Sequence, residues 1–312
     1  MRAAFFSITH HKGSIMRTRA IVLALAMSCV GQQVFAAFGD ATISAVAGTY
    51  RLTIKSSSYN AGAISSLNWN SKEFINNYDH GRQLQSASSF DGRGEAFNPT
   101  EAGSYANGVN PRPSSSLLQA LSTASTNGTG IKNRLSTQSK MAFWMPVNGV
   151  VRSEHVLNKQ VTIGMPGMAH VIEYLTQFTI PSAESHSSAV FEVATGYMPS
   201  GFSKFYTYDV KHGATSVVAL SDGPGEQPLP IIFATSTGSH AMGIYSPDSP
   251  QTGWSTAGYG RWRFTADNVV KWNNVFRVNN PAGIYYFRSY VIVGSLENVK
   301  VSMKQLNATF FP

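Results

Sequence analysis

The densest group of side chains able to do chemistry lies in the segment Asn76 to Gln85. Only one of its ten residues is aliphatic, so the segment cannot be an ordinary core strand. Extended alternation would place Tyr78, His80 and Arg82 on one face. Such a face can bind an anionic or hydroxyl-rich ligand and can transfer a proton. The segment therefore supplies candidate catalytic residues, Tyr78, His80 and Arg82, and candidate substrate-binding residues, Asn77, Asp79 and Gln85. The alternative is a solvated loop in which Asp79 pairs with Arg82.

A second candidate group follows at residues 97–104. The Asn98-Pro99 pair begins a turn, and Gly103 permits a positive φ. Glu101 is one of the few carboxylates in this stretch, which makes it a candidate general base, with Asn98 as a candidate substrate ligand. A capped turn with a structural Glu101 explains the same residues.

The third group is aromatic and basic and spans residues 254–277. Flat aromatic rings can cover the apolar faces of sugars, while arginine and amide groups bind the hydroxyl rims. Alternation in the run 261–264 sends two arginines to one face and two aromatic rings to the other. The simplest interpretation of Trp262 and Phe264 is a core position, whereas Trp254 lies in a loop rich in Gly, Pro and Ser. The candidate substrate-binding residues here are Trp254, Tyr259, Arg261 and Arg277.

Signals for metals, cofactors and nucleophilic serines are weak. The histidines after residue 36 are scattered, and neither His-x-His nor His-Glu-x-x-His occurs. Gly-x-Ser-x-Gly is also absent, and Gly223-Pro224-Gly225 lacks the lysine of a phosphate loop. The sequence predicts neither a metal site nor a cofactor.

The first 36 residues have the pattern of a secretory signal peptide. A basic start at Met16-Arg17-Thr18-Arg19 precedes an apolar run of ten residues, 21–30, and Val34-Phe35-Ala36 offers small residues at the cleavage positions. Met16 is an alternative start. The apolar run is shorter than the roughly 20 residues that cross a bilayer, so no membrane span is predicted. We expect cleavage after Ala36 or Ala37 and a secreted or periplasmic domain, 37–312.

The exported domain would carry no thiol, because the single cysteine, Cys29, lies in the signal. Four of the 24 basic residues and none of the 16 acidic ones lie in residues 1–36, which leaves 20 against 16, a net charge of +4. The basic residues are also dispersed, whereas a nucleic-acid surface clusters them. Composition therefore argues against nucleic acid as a partner.

Short runs of β-branched and aromatic residues between Gly, Pro, Asn and Ser set the fold class. Examples are residues 48–54, 170–178 and 189–195. More than ten such runs, without a long amphipathic helix, predict an all-β protein: a large antiparallel β-sandwich or supersandwich in a single domain. The pattern predicts few strands in 76–140, an exposed loop at 114–139 with a helical turn at 117–121, and a sheet-closing strand at 299–304.

The segment Trp69-Asn70-Ser71-Lys72-Glu73, after a strand from Ile64, resembles a hairpin of the galactose-mutarotase-like β-supersandwich superfamily. In that superfamily the turn reads x-W-N-G-K-E, and a polar loop like Asp79-His80-Gly81-Arg82 then leads toward the concave face. The resemblance covers residues 41–305. The catalytic His pair and late Glu of aldose mutarotases have no match, so the resemblance implies a fold and a sugar ligand rather than mutarotation.

Two kinds of function follow. The first is an enzyme that cleaves or modifies a poly- or oligosaccharide. In a lyase, Arg82 or Arg277 would neutralise a uronate carboxylate while His80 or Tyr78 transfers protons; in a glycoside hydrolase, Glu101 would pair with a second carboxylate, Asp79 or Glu173. The second is a non-catalytic protein, either a glycan binder or a cell-surface structural β protein.

Overall fold

The computed structural model describes residues 40–78, 80–103, 116–126, 128, 130 and 132–312. The predicted signal peptide, its cleavage site and Asp79 lie outside the described residues. The described part of the chain is all-β and sandwich-like, as the sequence pattern predicts, and consists of nineteen strands and one α-helix besides short 3-10 turns.

The strands pair antiparallel throughout. Their bounds are β1 Ala41–Ala47, β2 Tyr50–Ser56, β3 Ile64–Trp69, β4 Lys72–Glu73, β5 Gln85–Phe90, β6 Pro99–Thr100, β7 Leu117–Thr126, β8 Lys132–Val147, β9 Val150–Met165, β10 Met168–Thr179, β11 Ser188–Pro199, β12 Lys204–Thr207, β13 Val218–Ala219, β14 Gly225–Gln227, β15 Ile231–Ala234, β16 Ala241–Tyr245, β17 Tyr259–Phe264, β18 Val269–Asn279 and β19 Ile284–Gly294. Helix α1 spans Leu296–Phe310.

A small sheet of β1, β2, β3 and β4 packs on a sheet of fifteen strands. The strand order in the large sheet is β13-β12-β15-β16-β19-β10-β9-β8-β6-β5-β11-β18-β17-β14, with β7 paired to β8. Leu52 and Trp69 of the small sheet share one core cluster with Tyr174 and Trp272 of the large sheet. Burial of such apolar side chains from both layers is what holds a β-sandwich together.

The hairpin expected at Trp69 to Lys72 is present. β3 and β4 are joined by Asn70 and Ser71, both with positive φ, 48° and 59°. Two consecutive residues in this conformation make the tight turn whose twist matches that of the flanking strands. The Glu73 carboxylate then accepts hydrogen bonds from the backbone N–H groups of Leu67, Phe74 and Ile75, at 2.8, 3.0 and 3.0 Å.

The prediction of few strands in residues 76–140 was wrong. β5, β7 and most of β8 lie there, and residues 117–121 are extended rather than helical. In β8 the buried positions alternate, at Leu135, Thr137, Ser139 and Met141. Two of these four buried positions are Ser or Thr, so a polar composition concealed the alternation.

The prediction of a final strand at 299–304 was also wrong, because this segment lies within α1. Ser295 caps the helix: its side chain accepts from the N–H of Asn298, whose side chain in turn accepts from the N–H of Ser295. Such a reciprocal cap favours a helix start. Val299, Met303 and Leu306 are buried at helical spacing and face the large sheet.

Helix α1 packs so closely on β16 that Gly243 has no room for a side chain. A Cβ there would lie 2.5 Å from Val299 Cγ1 and 2.8 Å from Met303 Cε. We expect Gly243→Ala to lower the free energy of unfolding by about 1–3 kcal/mol through overpacking. Urea denaturation measures this, with Gly201→Ala as the control, since that Cβ would meet only Lys72 Nζ at 3.8 Å. Equal midpoints for the two variants would contradict the packing argument.

Candidate functional site

One face of the large sheet carries a row of polar positions, which we call the polar face. Glu226 of β14 pairs with Gly260 of β17, which pairs with Asn273 of β18. Asn273 pairs with Thr195 of β11, which pairs with Gln85 of β5. Directly paired residues of antiparallel strands project to the same face, so this row crosses five strands.

A second row of the polar face brings aromatic rings to a lysine. Lys271 pairs with Tyr197 on one side and Trp262 on the other. Its Nζ lies 5.4 Å from the centroid of the Tyr197 ring and 5.0 Å from that of the Trp262 ring. Glu192 forms an ion pair with it at 3.2 Å. Burial disfavours the ammonium, but Glu192 and Tyr197 outweigh that effect and raise the pKa of Lys271, so it stays charged.

The absence of a side chain at Gly260 leaves room for the Trp262 ring on the surface of the sheet. A Cβ on Gly260 would lie 2.3 Å from Trp262 Cη2 and 2.4 Å from Asn273 Oδ1. The ring therefore lies across the backbone of its own strand, half-buried, instead of entering the core. Phe264 is 37% exposed, so the core position expected for these two aromatic residues was wrong.

The residues of β17 that point away from the polar face are arginines, as the alternation in the sequence predicts. Arg261 donates to Ser221 O and Oγ, at 2.7 and 2.8 Å. Arg263 donates to Ser203 O and to the Asp222 carboxylate, at 2.8 and 2.9 Å. Arg261 therefore ties β17 to the 221–225 segment, and its side chain is on the opposite side of the sheet from the polar face.

A tryptophan, an arginine and a glutamate meet at one end of the polar face. Arg277 lies over the ring of Trp254, with 5.4 Å between its Cζ and the ring centroid. The Arg277 Nη2 donates to both oxygens of Glu226, at 2.8 and 2.6 Å. Gln251 bonds the backbone N–H and C=O of Arg277, both at 2.8 Å, and so fixes the Trp254 loop to β18. Trp254 is 37% exposed and is available as a ligand platform.

Tyr259 anchors that loop from the interior. Its side chain is fully buried, and its hydroxyl accepts from the N–H of Ser246 at 2.8 Å. Burial raises the pKa of the Tyr259 phenol, which stays neutral. The structure thus gives Tyr259 a structural surrounding, and its predicted contact with substrate stays a hypothesis.

The early polar loop lies beside the polar face. The N–H of Asn76 donates to Tyr197 O at 2.8 Å, and Arg82 forms an ion pair with Asp267 at 3.3 Å, in the turn between β17 and β18. Asn77 is exposed and accepts from Gln83 Nε2 at 2.7 Å, while Tyr78 is 75% exposed. These contacts bring Asn77, Tyr78 and Arg82 near the Tyr197 end of the face.

His80 and Gln85 lock this loop to the segment that directly follows β6. The Nε2 of His80 is hydrogen-bonded to Ala102 O, and the N–H of Ala102 donates to Gln85 Oε1 at 2.9 Å. Gln85 Nε2 donates to Gly81 O at 2.7 Å. Both side chains are buried. In this conformation they organise the loop, and their predicted roles toward substrate stay hypotheses.

Glu101 lies in the interior, paired with a lysine. Its carboxylate contacts the Lys159 ammonium and accepts from the N–H of Ser86 at 3.0 Å. Lys159 also donates to Gly62 O at 2.9 Å. Burial raises the pKa of Glu101 and lowers that of Lys159, and each partner opposes the shift of the other. Both side chains have no solvent exposure, so this arrangement favours a structural role for Glu101.

The predicted site residues therefore separate into groups. Arg277 and Gln85 occupy the polar face, Trp254 borders one end of it and the Asn77–Arg82 loop borders another. Asn98 is half-buried, and its carbonyl accepts from the N–H of Trp144 at 2.7 Å. Glu192 and Tyr197 on this face were not predicted, although partly exposed positions alternate with buried ones in β11. Thr195, Glu226, Lys271 and Asn273 were not predicted as site residues either.

The histidines that the sequence leaves scattered are partly gathered by the fold. Among the described residues, His155, Glu184 and His186 form a group with the donor atoms to hold a metal ion. None of the three belongs to the polar face. Separately, in the part of the chain that the structure describes, no helix has both the length and the hydropathy to cross a membrane.

Comparison with known proteins yields likenesses in structure only. No protein-family model and no curated protein matches the sequence. Among solved structures, the chain is similar to an α-galactosidase from Lactobacillus brevis, with a TM-score of 0.45 and 12% identity over 86% of this chain and 41% of the other. It is also similar to a 4-α-glucanotransferase from Thermococcus litoralis, with a TM-score of 0.44 and 10% identity over 82% of this chain and 38% of the other.

A heparan sulfate lyase from Pedobacter heparinus has a TM-score of 0.36 and 9% identity over 82% of this chain and 35% of the lyase. The chain thus spans about two fifths or less of the length of these three enzymes. Its fold assignment rests on its own strand topology.

Proposed function

We propose that this chain is an exported carbohydrate-active protein that binds a poly- or oligosaccharide along the polar face. The observation that carries the proposal is the placing of one exposed and one half-buried tryptophan on or beside one sheet face, each packed against a cation that is paired with a carboxylate. Trp254 has Arg277 and Glu226, and Trp262 has Lys271 and Glu192.

This arrangement suits sugars for two reasons. An indole ring offers a flat apolar surface to the C–H face of a pyranose. Paired Arg, Lys and Glu side chains offer donors and acceptors in fixed positions for the hydroxyl rim, at little cost in side-chain ordering. Arg277 is paired with Glu226, so the Trp254 end of the face suits hydroxyl groups better than it suits the bare carboxylate of a uronate.

A lyase activity is favoured by a second observation on the same face. The Tyr197 phenol lies against the Lys271 ammonium, and Glu192 neutralises that lysine. Tyrosine is among the side chains that transfer protons in general acid–base catalysis, and cleavage by β-elimination requires such a transfer. The hydrolase alternative needs two carboxylates flanking one bond, and Glu101 does not supply one from its buried pair.

The test of binding is the replacement of Trp254. We expect Trp254→Ala to weaken glycan binding about 30-fold, equivalent to about 2 kcal/mol for an aromatic residue that anchors a ligand. The measurement is calorimetric titration of the full chain with neutral and uronate-containing oligosaccharides, chosen from a binding screen of soluble polysaccharides.

Tyr286→Ala is the matched control, because Tyr286 is 48% exposed on β19 and is not part of the polar face. Equal loss of affinity in the two variants would place binding elsewhere. No binding of any glycan in the screen would remove the carbohydrate proposal and leave a structural β protein as the remaining candidate.

Export is part of the proposal and has its own test. Expression in a bacterial host followed by fractionation should recover the chain outside the cytoplasm, with its N-terminus at residue 37 or 38. Recovery of the intact N-terminus in the cytoplasm would contradict the signal-peptide hypothesis.

A further inference from the structure

Three side chains with metal-binding donor atoms come together from distant parts of the sequence. His155 projects from β9, while Glu184 and His186 lie in the connection between β10 and β11. The Nε2 of His155 lies 2.8 Å from Glu184 Oε2, and the Nε2 of His186 lies 2.9 Å from the same oxygen. One ligand atom from each residue lies within 4.8 Å of the others.

The two nitrogen-to-oxygen distances are close to those of a tetrahedral metal site. Bonds of about 2.0–2.2 Å to imidazole nitrogen and carboxylate oxygen place neighbouring ligand atoms about 3.3 Å apart. Glu184 would have to move outward by about half an ångström from its present contacts with the two histidines. Its side chain is 26% exposed and can make that movement without disturbing the core.

The surroundings of His186 are those of a metal ligand. Its Nδ1 lies 2.7 Å from Asp91 Oδ2, and Asp91 is fixed by the N–H and hydroxyl of Ser187, at 2.7 and 3.0 Å. A carboxylate behind a ligating histidine orients the ring and strengthens it as a donor.

Aromatic rings hold both histidines in place. The Phe90 ring lies 4.8 Å from the His155 ring and 4.4 Å from the His186 ring, centroid to centroid. The Phe97 ring also packs on His186, with 5.2 Å between the ring centroids. The side chains of His155 and His186 are 3% and 5% exposed, so their ligand atoms are presented in a nearly dry surrounding.

The group opens on a pocket of about 330 Å³. Glu184 and His186 line it together with four apolar residues, Phe97, Phe143, Val147 and Val150. A metal bound by three protein atoms here would have its remaining coordination position toward this pocket. That is the arrangement of metals that carry a water or an exchangeable ligand rather than of closed structural sites.

We propose that His155, Glu184 and His186 bind a divalent first-row transition metal, represented by Zn²⁺, with one coordination position open to the pocket. Two imidazoles and a carboxylate favour such ions over Mg²⁺ and Ca²⁺, which take oxygen ligands. Glu184 and Asp91 together supply two negative charges, which balance the two positive charges of the ion. The site is independent of the polar face and of the function proposed for it.

The test uses the full chain, dialysed against a chelator and titrated with ZnCl₂ in a calorimeter. His10 and His11 are changed to Ala in the parent and in all variants, because two adjacent imidazoles would compete for the added metal. We expect one saturable Zn²⁺ per chain, no response to MgCl₂, and intense visible absorption on titration with CoCl₂, as in tetrahedral Co²⁺ sites.

The variants separate a metal site from a cluster of ion pairs. We expect His186→Ala and Glu184→Gln to weaken Zn²⁺ binding about 100-fold or more, and Asp91→Asn about 10- to 100-fold, through loss of the orienting partner. His212→Ala should leave binding unchanged, because His212 makes a similar contact with Asp209, at 2.8 Å, on an exposed surface.

Circular dichroism and thermal melts identify variants that fail to fold, and Glu184→Gln, at the rim of the pocket, serves if His186→Ala is one of them. Absence of saturable Zn²⁺ binding in the parent, or equal affinities in parent and variants, would overturn the proposal. The group would then be an ion-pair cluster that joins the β10–β11 connection to the end of β5.

Discussion

Replacement of Lys159 by methionine is expected to lower the free energy of unfolding by about 3–5 kcal/mol, because it leaves the Glu101 carboxylate buried without its partner. Neither side chain of this pair has solvent exposure. Burial already raises the pKa of Glu101, and removal of the ammonium raises it further. The loss is measured by urea denaturation near neutral pH.

The double variant Lys159→Met with Glu101→Leu separates the effect of the unpaired charge from that of the lost contact. We expect it to recover most of the lost stability, since apolar side chains of similar volume often replace a buried ion pair at little cost. Lys300→Met is the matched control: its pair with Glu297 is exposed, and we expect a change below about 0.5 kcal/mol.

This experiment also bears on the catalytic hypothesis for Glu101. If Glu101 is structural, the double variant folds and keeps whatever glycan binding and turnover the parent has. Retained stability with complete loss of turnover would instead make Glu101 a catalytic residue. Equal destabilisation of the single and double variants would show that the pair contributes by shape rather than by charge.

Tyr197→Phe carries the largest expected effect on activity. If the polar face holds a lyase, removal of this hydroxyl should lower kcat about 10²- to 10⁴-fold, the range for loss of a group that transfers a proton in the transition state. The ring remains to pack on Lys271, so the affinity for the glycan should change little. The measurement is ultraviolet absorption of the unsaturated sugar end that β-elimination creates.

Tyr206→Phe controls for the general effect of removing a phenol, because Tyr206 is also half-buried but lies on β12, at the other end of the large sheet. Turnover that survives Tyr197→Phe would assign the proton transfer to other residues, with Tyr78 the next to be tested. Binding by the parent without any product from any bound glycan would support the non-catalytic alternative.

The sequence determined the fold class because it depends on local patterns. The alternation that begins the run 189–195 and the hairpin at Trp69 to Lys72 depend on neighbouring residues, and both are present in the structure. The strands β7 and β8 were not predicted, because their residues are mostly polar. Pairing with a long neighbouring strand compensates for the weak strand preference of such residues. The final helix was not predicted, because residues 299–304 alternate as a strand would. The cap at Ser295 and the buried face of the helix favour the helical conformation over a strand.

The sites were decided by tertiary structure. Glu101 is a reasonable general base when only its neighbours in sequence are known, and only the fold brings Lys159, 58 residues later, to pair with it in the interior. The polar face depends on strand register, which joins Gln85, Thr195 and Asn273 in one row through contacts between distant segments. His155 and His186 likewise look unrelated in sequence, and they meet because the end of β5, the middle of β9 and the β10–β11 connection converge. Local patterns specify which strands can form, whereas the distances that chemistry requires arise only when long-range pairing fixes the register.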